Sequence, residues 1–394
     1  MYNNYSLTLS IITLKKLNMF IFLNFIISYA FMITKRVQRG LGSPNKRKYR
    51  SRLRPGAVFL RKWLSASYDV CVRERMCTVK AAVIAGPGNL EVIEAPIPGT
   101  GPNQALIKIK ICGICASEYH LWRTGTDPGR PFGHEYVGVI VAVGDSVTKR
   151  RIGDRVTSRT YGAFAEYIVE HEDNLVAVPD ELDAKEAMGE PLSCIISGAL
   201  RTDVRPGDSV CIVGTGFMGL GFLQVMRAKG AVRVIAVDVR AEGLAHALHF
   251  GADEAYLPHE VPKADKVLFG EPALFQNGVE VVVESSGSQA GLDLASDMVR
   301  AHGVLSIVGY HQSGVRNVDM KLWNWKAIMV VNAHERRDWR HVDYIATAFR
   351  LIQAGRLNIK DMITHSYAFE DINAAFTALA EKPAGYIKGY VEIG

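Results

Sequence analysis

From residue 78 onward the hydrophobic and polar positions fall into two textures. In the first, Ile107, Ile109 and Ile111 alternate with Lys108 and Lys110, the period-two pattern of a half-buried strand. Val139, Val141 and Val143 repeat it before the turn Gly144-Asp145, so the region up to about residue 170 is expected to be antiparallel β with little helix. After Pro206-Gly207-Asp208 the period changes. Residues 209–213 form a short apolar run, a glycine-rich turn follows, residues 217–228 have helical composition, and a second apolar run over 232–237 ends in Asp238. Apolar runs at 281–283 and 304–308 again alternate with helical stretches, which predicts a parallel, doubly wound sheet. Val342, Ile345, Phe349 and Ile352 recur at intervals of three to four and predict one face of an amphipathic helix.

The chain's 394 residues are enough for two domains and a remainder. With 48% apolar and 22% charged residues it is neither disordered, collagen-like nor a polytopic membrane chain, and six cysteines are too few for a dense disulfide framework. A reducing compartment, with metal-binding or catalytic thiols, is therefore expected. The net charge of +6 hides an asymmetry: residues 1–75 carry 15 Lys and Arg against Asp69 and Glu74, and the rest of the chain is net acidic. The folded part is accordingly not expected to bind nucleic acid.

Residues 1–75 stand apart in texture. An uncharged Phe/Ile/Leu-rich stretch at 17–34, flanked by basic pairs, has the length of a marginal membrane span, and Ser28-Tyr29-Ala30 resembles a small-x-small cleavage site. The basic run 46–54 has no apolar periodicity. Three readings compete: a dispensable upstream extension, a membrane anchor through 17–34, and a cleaved targeting segment. Met76 stands directly before the first strand of the body.

Gly214-Thr215-Gly216-Phe217-Met218-Gly219 is G-x-G-x-x-G between an apolar run and a helix. The first glycine serves a tight turn, the second a close approach to a pyrophosphate, and the third close helix–strand packing. Asp238 ends the next strand, where a carboxylate accepts hydrogen bonds from the ribose hydroxyls and repels a 2′-phosphate. NAD is therefore expected, with Arg240 the complicating charge.

A second constellation lies upstream: Cys112-Gly-Ile-Cys115-Ala-Ser117-Glu118-Tyr-His120, then Gly133-His134-Glu135, then Glu190-Pro191-Leu192-Ser193. Thiolate, imidazole and carboxylate are zinc ligand types, but the spacing alone also admits half a zinc ribbon or a redox pair; the absence of a second C-x-x-C weakens the ribbon. Together with G-D-R-V at 153–156 and G-A-F-A-E-Y at 162–167, these motifs resemble the zinc-dependent medium-chain dehydrogenase/reductase family, particularly its sorbitol and threonine dehydrogenase branches, in order from about Lys80 to Gly394.

The resemblance implies an α/β chain with a discontinuous, β-rich GroES-like catalytic domain over 78–196 and 335–394 and a Rossmann NAD-binding domain over 197–334. It implies metal ligation by Cys115, His134, Glu135 and Glu190, with Glu190 alternatively holding zinc-bound water. Ser117 is expected to take the alcohol proton, His120 to form the solvent end of the relay, and Glu118, an aspartate in most relatives, to orient the zinc histidine. Gly214, Thr215, Gly216, Phe217, Met218, Gly219, Asp238 and Arg240 form the expected cofactor site. Many relatives carry a four-cysteine structural zinc lobe where this chain has only Thr157-Ser158-Arg159-Thr160-Tyr161, so one catalytic zinc per chain and no structural zinc is expected.

The implied reaction is oxidation of a secondary alcohol, whether polyol, sugar alcohol or amino alcohol, to a ketone with hydride transfer to NAD, in the cytoplasm, by a homo-oligomeric enzyme, dimer or tetramer. The alternatives are a zinc-free quinone or enoyl reductase on the same fold, and a membrane-tethered nucleotide-binding protein with vestigial catalysis. Elsewhere, Cys194 and Cys211 read as small buried hydrophobes, Trp122 as either pocket lining or core, and Arg336-Arg337-Asp338 as a solvated helix start. A chain beginning at Met76 is expected to fold, bind zinc and keep the kcat and KM of the whole chain. Its aggregation, alongside full activity of the complete chain in a membrane fraction, would instead establish the anchor.

Overall fold

The computed structural model describes residues 78–272, 274–312 and 314–394. The stretch at 17–34 lies outside these, and among the described residues no helix is long and apolar enough to cross a membrane.

The first half is β-rich. Strands β1 (Thr78–Gly86) and β2 (Asn89–Pro96) form an antiparallel hairpin, and β3 (Gln104–Gly113) leads into α1 (Ala116–Thr124). Then come β4 (Tyr136–Val143), β5 (Arg155–Thr157), β6 (Tyr167–His171), β7 (Val176–Ala177) and α2 (Gly189–Arg201). As its alternation predicts, β3 buries Ile107, Ile109 and Ile111 while Lys110 is exposed. In β4 the phase is the reverse of the expected one: Ile140 and Ala142 are buried, and Val139, Val141 and Val143 are only partly covered. Both faces of that strand are apolar, so alternation marks the strand without marking which face turns inward.

The second half alternates strand and helix: β8 (Ser209–Val213), α3 (Phe217–Ala228), β9 (Arg233–Val237), α4 (Ala241–His249), β10 (Glu254–Tyr256), β11 (Val279–Glu284), α5 (Gln289–Met298), β12 (Val299–Ile307), α6 (Met320–Lys326) and β13 (Met329–Asn332). Its six strands are all parallel, in the order β10-β9-β8-β11-β12-β13. The strand order reverses between β8 and β11, and in such sheets ligands bind outside the strand ends at that point. The glycine-rich turn sits at the end of β8.

The chain then returns to the first sheet. After α7 (His341–Gln353) come β14 (Ile363–Ala368), α8 (Ile372–Glu381) and β15 (Lys388–Glu392). β15 pairs antiparallel with β3, setting Val391 opposite Cys112 and Tyr390 opposite Gly113, in a mixed sheet ordered β14-β15-β3-β4-β5-β7. This is the mixed GroES-like sheet plus Rossmann sheet that the resemblance implies. One apolar core threads between the two, with Ile195, Phe222 and Phe349 all buried in it. The packing of α7 on α2 holds Ile345 and Phe349 inward, while Val342 and Ile352 are half-buried.

Candidate active site

β3 ends at Gly113, and two residues later Cys115 caps α1 with an extended backbone, its Sγ accepting the Ser117 N–H at 3.5 Å. Ser117 Oγ lies 3.1 Å from the same sulfur. His120, one turn further along α1, is exposed. The chain comes back just before β4 and delivers His134 and Glu135, both buried. Glu118 reaches under them: its Oε1 accepts the Gly133 N–H at 2.8 Å and is 3.2 Å from His134 Nδ1. The extra methylene of a glutamate at this position thus still brings a carboxylate to the ring.

Among the described residues, Cys115 Sγ, a His134 ring nitrogen and a Glu135 carboxylate oxygen all lie within 4.8 Å of one another. Glu190 stands one contact away, its Oε2 3.9 Å from His134 Nε2. Three of the four expected ligands are therefore gathered, and the fourth is held beside them at the start of α2. Burial, then the Glu135 charge, push the Cys115 thiol up, and burial raises the Glu190 carboxyl. Burial opposes protonation of His134, but the charges of Glu118 and Cys115 outweigh it and raise that group well above its ordinary value. A thiolate, an imidazole and carboxylates gathered in one buried pocket fit zinc, whose charge would compensate them.

Sequence reasoning missed Lys388. It is 4% exposed at the start of β15, its Nζ lying 2.6 Å from Glu135 Oε2 and donating to the Ile114 carbonyl at 3.1 Å. Burial opposes its charge, and Glu135 restores and raises it. A lysine so far from Glu135 in the chain carries no local motif; only the pairing of β15 with β3 brings it there. Gly113 makes room for the pair, since a Cβ at that position would come within 2.1 Å of Glu135 Oε2.

The three glycines of the turn differ in what surrounds them. Gly214 has φ +97°, a conformation that favours glycine. A Cβ on Gly219 would meet the Gly214 carbonyl oxygen at 2.0 Å, whereas one on Gly216 would meet nothing within 4 Å, leaving that backbone open to an approaching pyrophosphate. Asp238 Oδ2 accepts the Thr215 N–H and hydroxyl, each at 2.8 Å, and Oδ1 accepts the Arg240 N–H at 2.9 Å. Burial opposes ionisation of Asp238, but these donors overcome it and hold the carboxyl below its usual range. Phe217 and Met218 open α3, and the Phe217 ring centroid lies 4.8 Å from Lys388 Nζ. The contacts Glu135 to Lys388 to Phe217 join the Cys115–His134–Glu135 cluster to the glycine-rich turn.

The Alcohol dehydrogenase GroES-like domain family model matches residues 101–180, and the Zinc-binding dehydrogenase model matches residues 218–346. The chain belongs to the zinc-dependent medium-chain alcohol dehydrogenases. It is 28% identical, over 79% of its length and 98% of the relative's, to an uncharacterized zinc-type alcohol dehydrogenase-like protein of Escherichia coli. It is also 28% identical to a sorbitol dehydrogenase of Halalkalibacterium halodurans, over 75% of this chain and 93% of that one. Among solved structures, a zinc-binding dehydrogenase of Sinorhizobium meliloti bound to NADP superposes with a TM-score of 0.70 at 25% identity, covering 80% of this chain and all of the other. As an NAD(P)-linked alcohol dehydrogenase, this chain draws on zinc and a nicotinamide cofactor.

Other positions in this dehydrogenase sort clearly. Trp122 is core: its ring stacks on Phe376 at 5.8 Å and its Nε1 donates to Asn373. Cys211 is buried beside Met298, whereas the Cys194 thiol donates to Glu190 Oε1 at 3.3 Å and so touches the site. The run Arg336-Arg337-Asp338 is not simply solvated. Arg337 forks onto the buried Glu335 carboxylate at 2.7 and 2.8 Å, and Asp338 pairs with Arg159 at 2.7 Å.

Lys388→Met removes the ammonium from a buried carboxylate and is expected to destabilise the zinc-free protein by about 3–5 kcal/mol. Added zinc, by supplying a countercharge to Glu135, should recover part of that loss, and Lys388→Arg should be milder. Denaturant unfolding with and without chelator checks this; equal losses in both conditions would contradict it.

Proposed function

We propose that this dehydrogenase oxidises a secondary alcohol of the polyol class to a ketone, with hydride transfer to NAD. The observation that carries the reading is the convergence of Cys115, His134 and Glu135 within 4.8 Å beside a nucleotide turn linked to them through Lys388. A zinc-free reductase has no use for that buried donor set, and the sorbitol dehydrogenase among the relatives supports the polyol class.

In this reading Cys115 and His134 would hold zinc together with Glu135, directly or by exchange, and Glu190 would serve as a further ligand or hold a water beside it. When bound, zinc and the nicotinamide supply Lewis acidity toward the alcohol oxygen and a hydride acceptor. Ser117 Oγ, fixed 3.1 Å from the Cys115 sulfur, takes the alcohol proton as it gives up its own hydroxyl proton to a relay whose solvent end is His120 on the exposed face of α1. Glu118 keeps His134 from turning, and Lys388 sets the Glu135 carboxylate. Asp238, held ionised by Thr215 and Arg240, presents a negative charge to the adenosine ribose and disfavours a 2′-phosphate. A reduced Cys115 thiolate and a supply of NAD suit the cytoplasm.

NADH formation across a panel of secondary alcohols tests the reaction, with metal analysis expected to find about one zinc per chain. Cys115→Ser should lose both zinc and activity; two firmly bound zincs, or full activity of that variant, would overturn the assignment. Asp238→Ala should narrow the preference for NAD over NADP, and a wild-type enzyme with the higher kcat/KM for NADP would show that Arg240 governs the choice.

A further inference from the structure

A line of polar contacts leads from Glu190 outward. Arg159 stands in the short connection after β5, and its side chain is 18% exposed, with Nε 3.8 Å from Glu190 Oε1 and Nη1 2.7 Å from Asp338 Oδ1. The same Nη1 lies 3.2 Å from His341 Nε2. His341 Nδ1 lies 2.6 Å from Ser193 Oγ, and Ser193 in turn donates to the Glu190 carbonyl at 2.7 Å. Burial and then the Arg159 charge hold the His341 pKa down to about 4, so the neutral ring accepts from Arg159 and donates to Ser193. The guanidinium is thereby fixed in place, while its other partner, Asp338, has a side chain 82% exposed at the surface. Tyr161, two residues along, is exposed with its ring centroid 6.1 Å from that of His134, so this connection borders the metal donors as well.

We propose that the Arg159–Asp338 pair recognises substrate hydroxyl groups beyond the reacting carbinol and selects a neutral, polyhydroxylated alcohol. The proposal rests on the alcohol oxidation argued above and adds the residues that choose the substrate. A guanidinium edge offers only donors and a carboxylate only acceptors, and a diol satisfies both at once because each hydroxyl donates and accepts. An apolar alcohol would displace water from the two charges and return no hydrogen bonds. An anionic alcohol is disfavoured for another reason: Arg159 already faces two carboxylates, Glu190 and Asp338, so a further negative charge would meet two acids and one cation. Arg159 stands at the buried end and Asp338 at the exposed end, so a polyol whose reacting carbon lies at the donor set would run outward along the pair.

The test uses the zinc-loaded full chain. Steady-state kinetics are measured with a six-carbon sugar alcohol, its phosphate monoester, the corresponding aldonate, and a short monohydric secondary alcohol, for wild type, Asp338→Ala, Asp338→Asn and Arg159→Lys, with zinc content measured in each. The wild type should prefer the sugar alcohol over the other three. Asp338→Ala should shrink the kcat/KM ratio of sugar alcohol to monohydric alcohol by about tenfold, mainly through KM, with Asp338→Asn recovering part of it. A constant ratio, zinc loss in the Asp338 variants, or wild-type preference for the phosphate or the aldonate would overturn the proposal. Oxidation of none of the alcohols by zinc-loaded wild type would instead remove the alcohol-oxidation reading on which it rests.

Discussion

The architecture turns on a buried ion pair, Glu135 with Lys388, formed between the start of β4 and the start of the last strand. Two charges taken out of water are costly, and a pair of this kind persists only where its geometry is tightly constrained. Here the constraint comes from β-pairing: β15 lies against β3, the Gly389 carbonyl accepts the Ile114 N–H, and Lys388 is delivered to a carboxylate that Gly113 leaves room for. The discontinuous catalytic sheet thus has a chemical consequence. The C-terminal segment completes the surroundings of residues brought in by its N-terminal strands.

The same lysine faces Phe217 at the nucleotide turn, so one side chain touches both halves of the site. Gln312, on the loop after β12, donates to the Ala116 carbonyl at the start of α1, giving a second tie between the parallel sheet and the helix that Cys115 caps. An enzyme that moves hydride between an alcohol and a nicotinamide needs those two groups in fixed register, because misplacement by an ångström costs orders of magnitude in rate. Contacts spanning the two sheets beside the reacting centre are a direct way to hold that register.

Much of this was legible in the chain. The G-x-G-x-x-G turn and Asp238 are local signals, and the steric roles of Gly214 and Gly219 follow from their order in the motif. Cys115, His134 and Glu135 stood out because the short motifs that carry them resemble those of a known family; their spacing alone left a ribbon half or a redox pair open. What stayed hidden depends on long-range pairing. Lys388 sits in an unremarkable strand, and its importance arises only when β15 docks on β3. The phase of β4 was hidden because valine occupies one face while isoleucine and alanine occupy the other, and both faces are largely covered. Arg336-Arg337-Asp338 looks like a solvated run because its partners, Glu335 and Arg159, are respectively too close and too far away to read as a charge pattern.

X-ray absorption at the zinc edge of the zinc-loaded protein tests the central claim, that one thiolate, one imidazole and carboxylate oxygen form the metal site, most directly. The expected first shell has a single sulfur at about 2.3 Å and nitrogen or oxygen ligands at about 2.0–2.2 Å. A shell with two or more sulfurs, or with none, would contradict it.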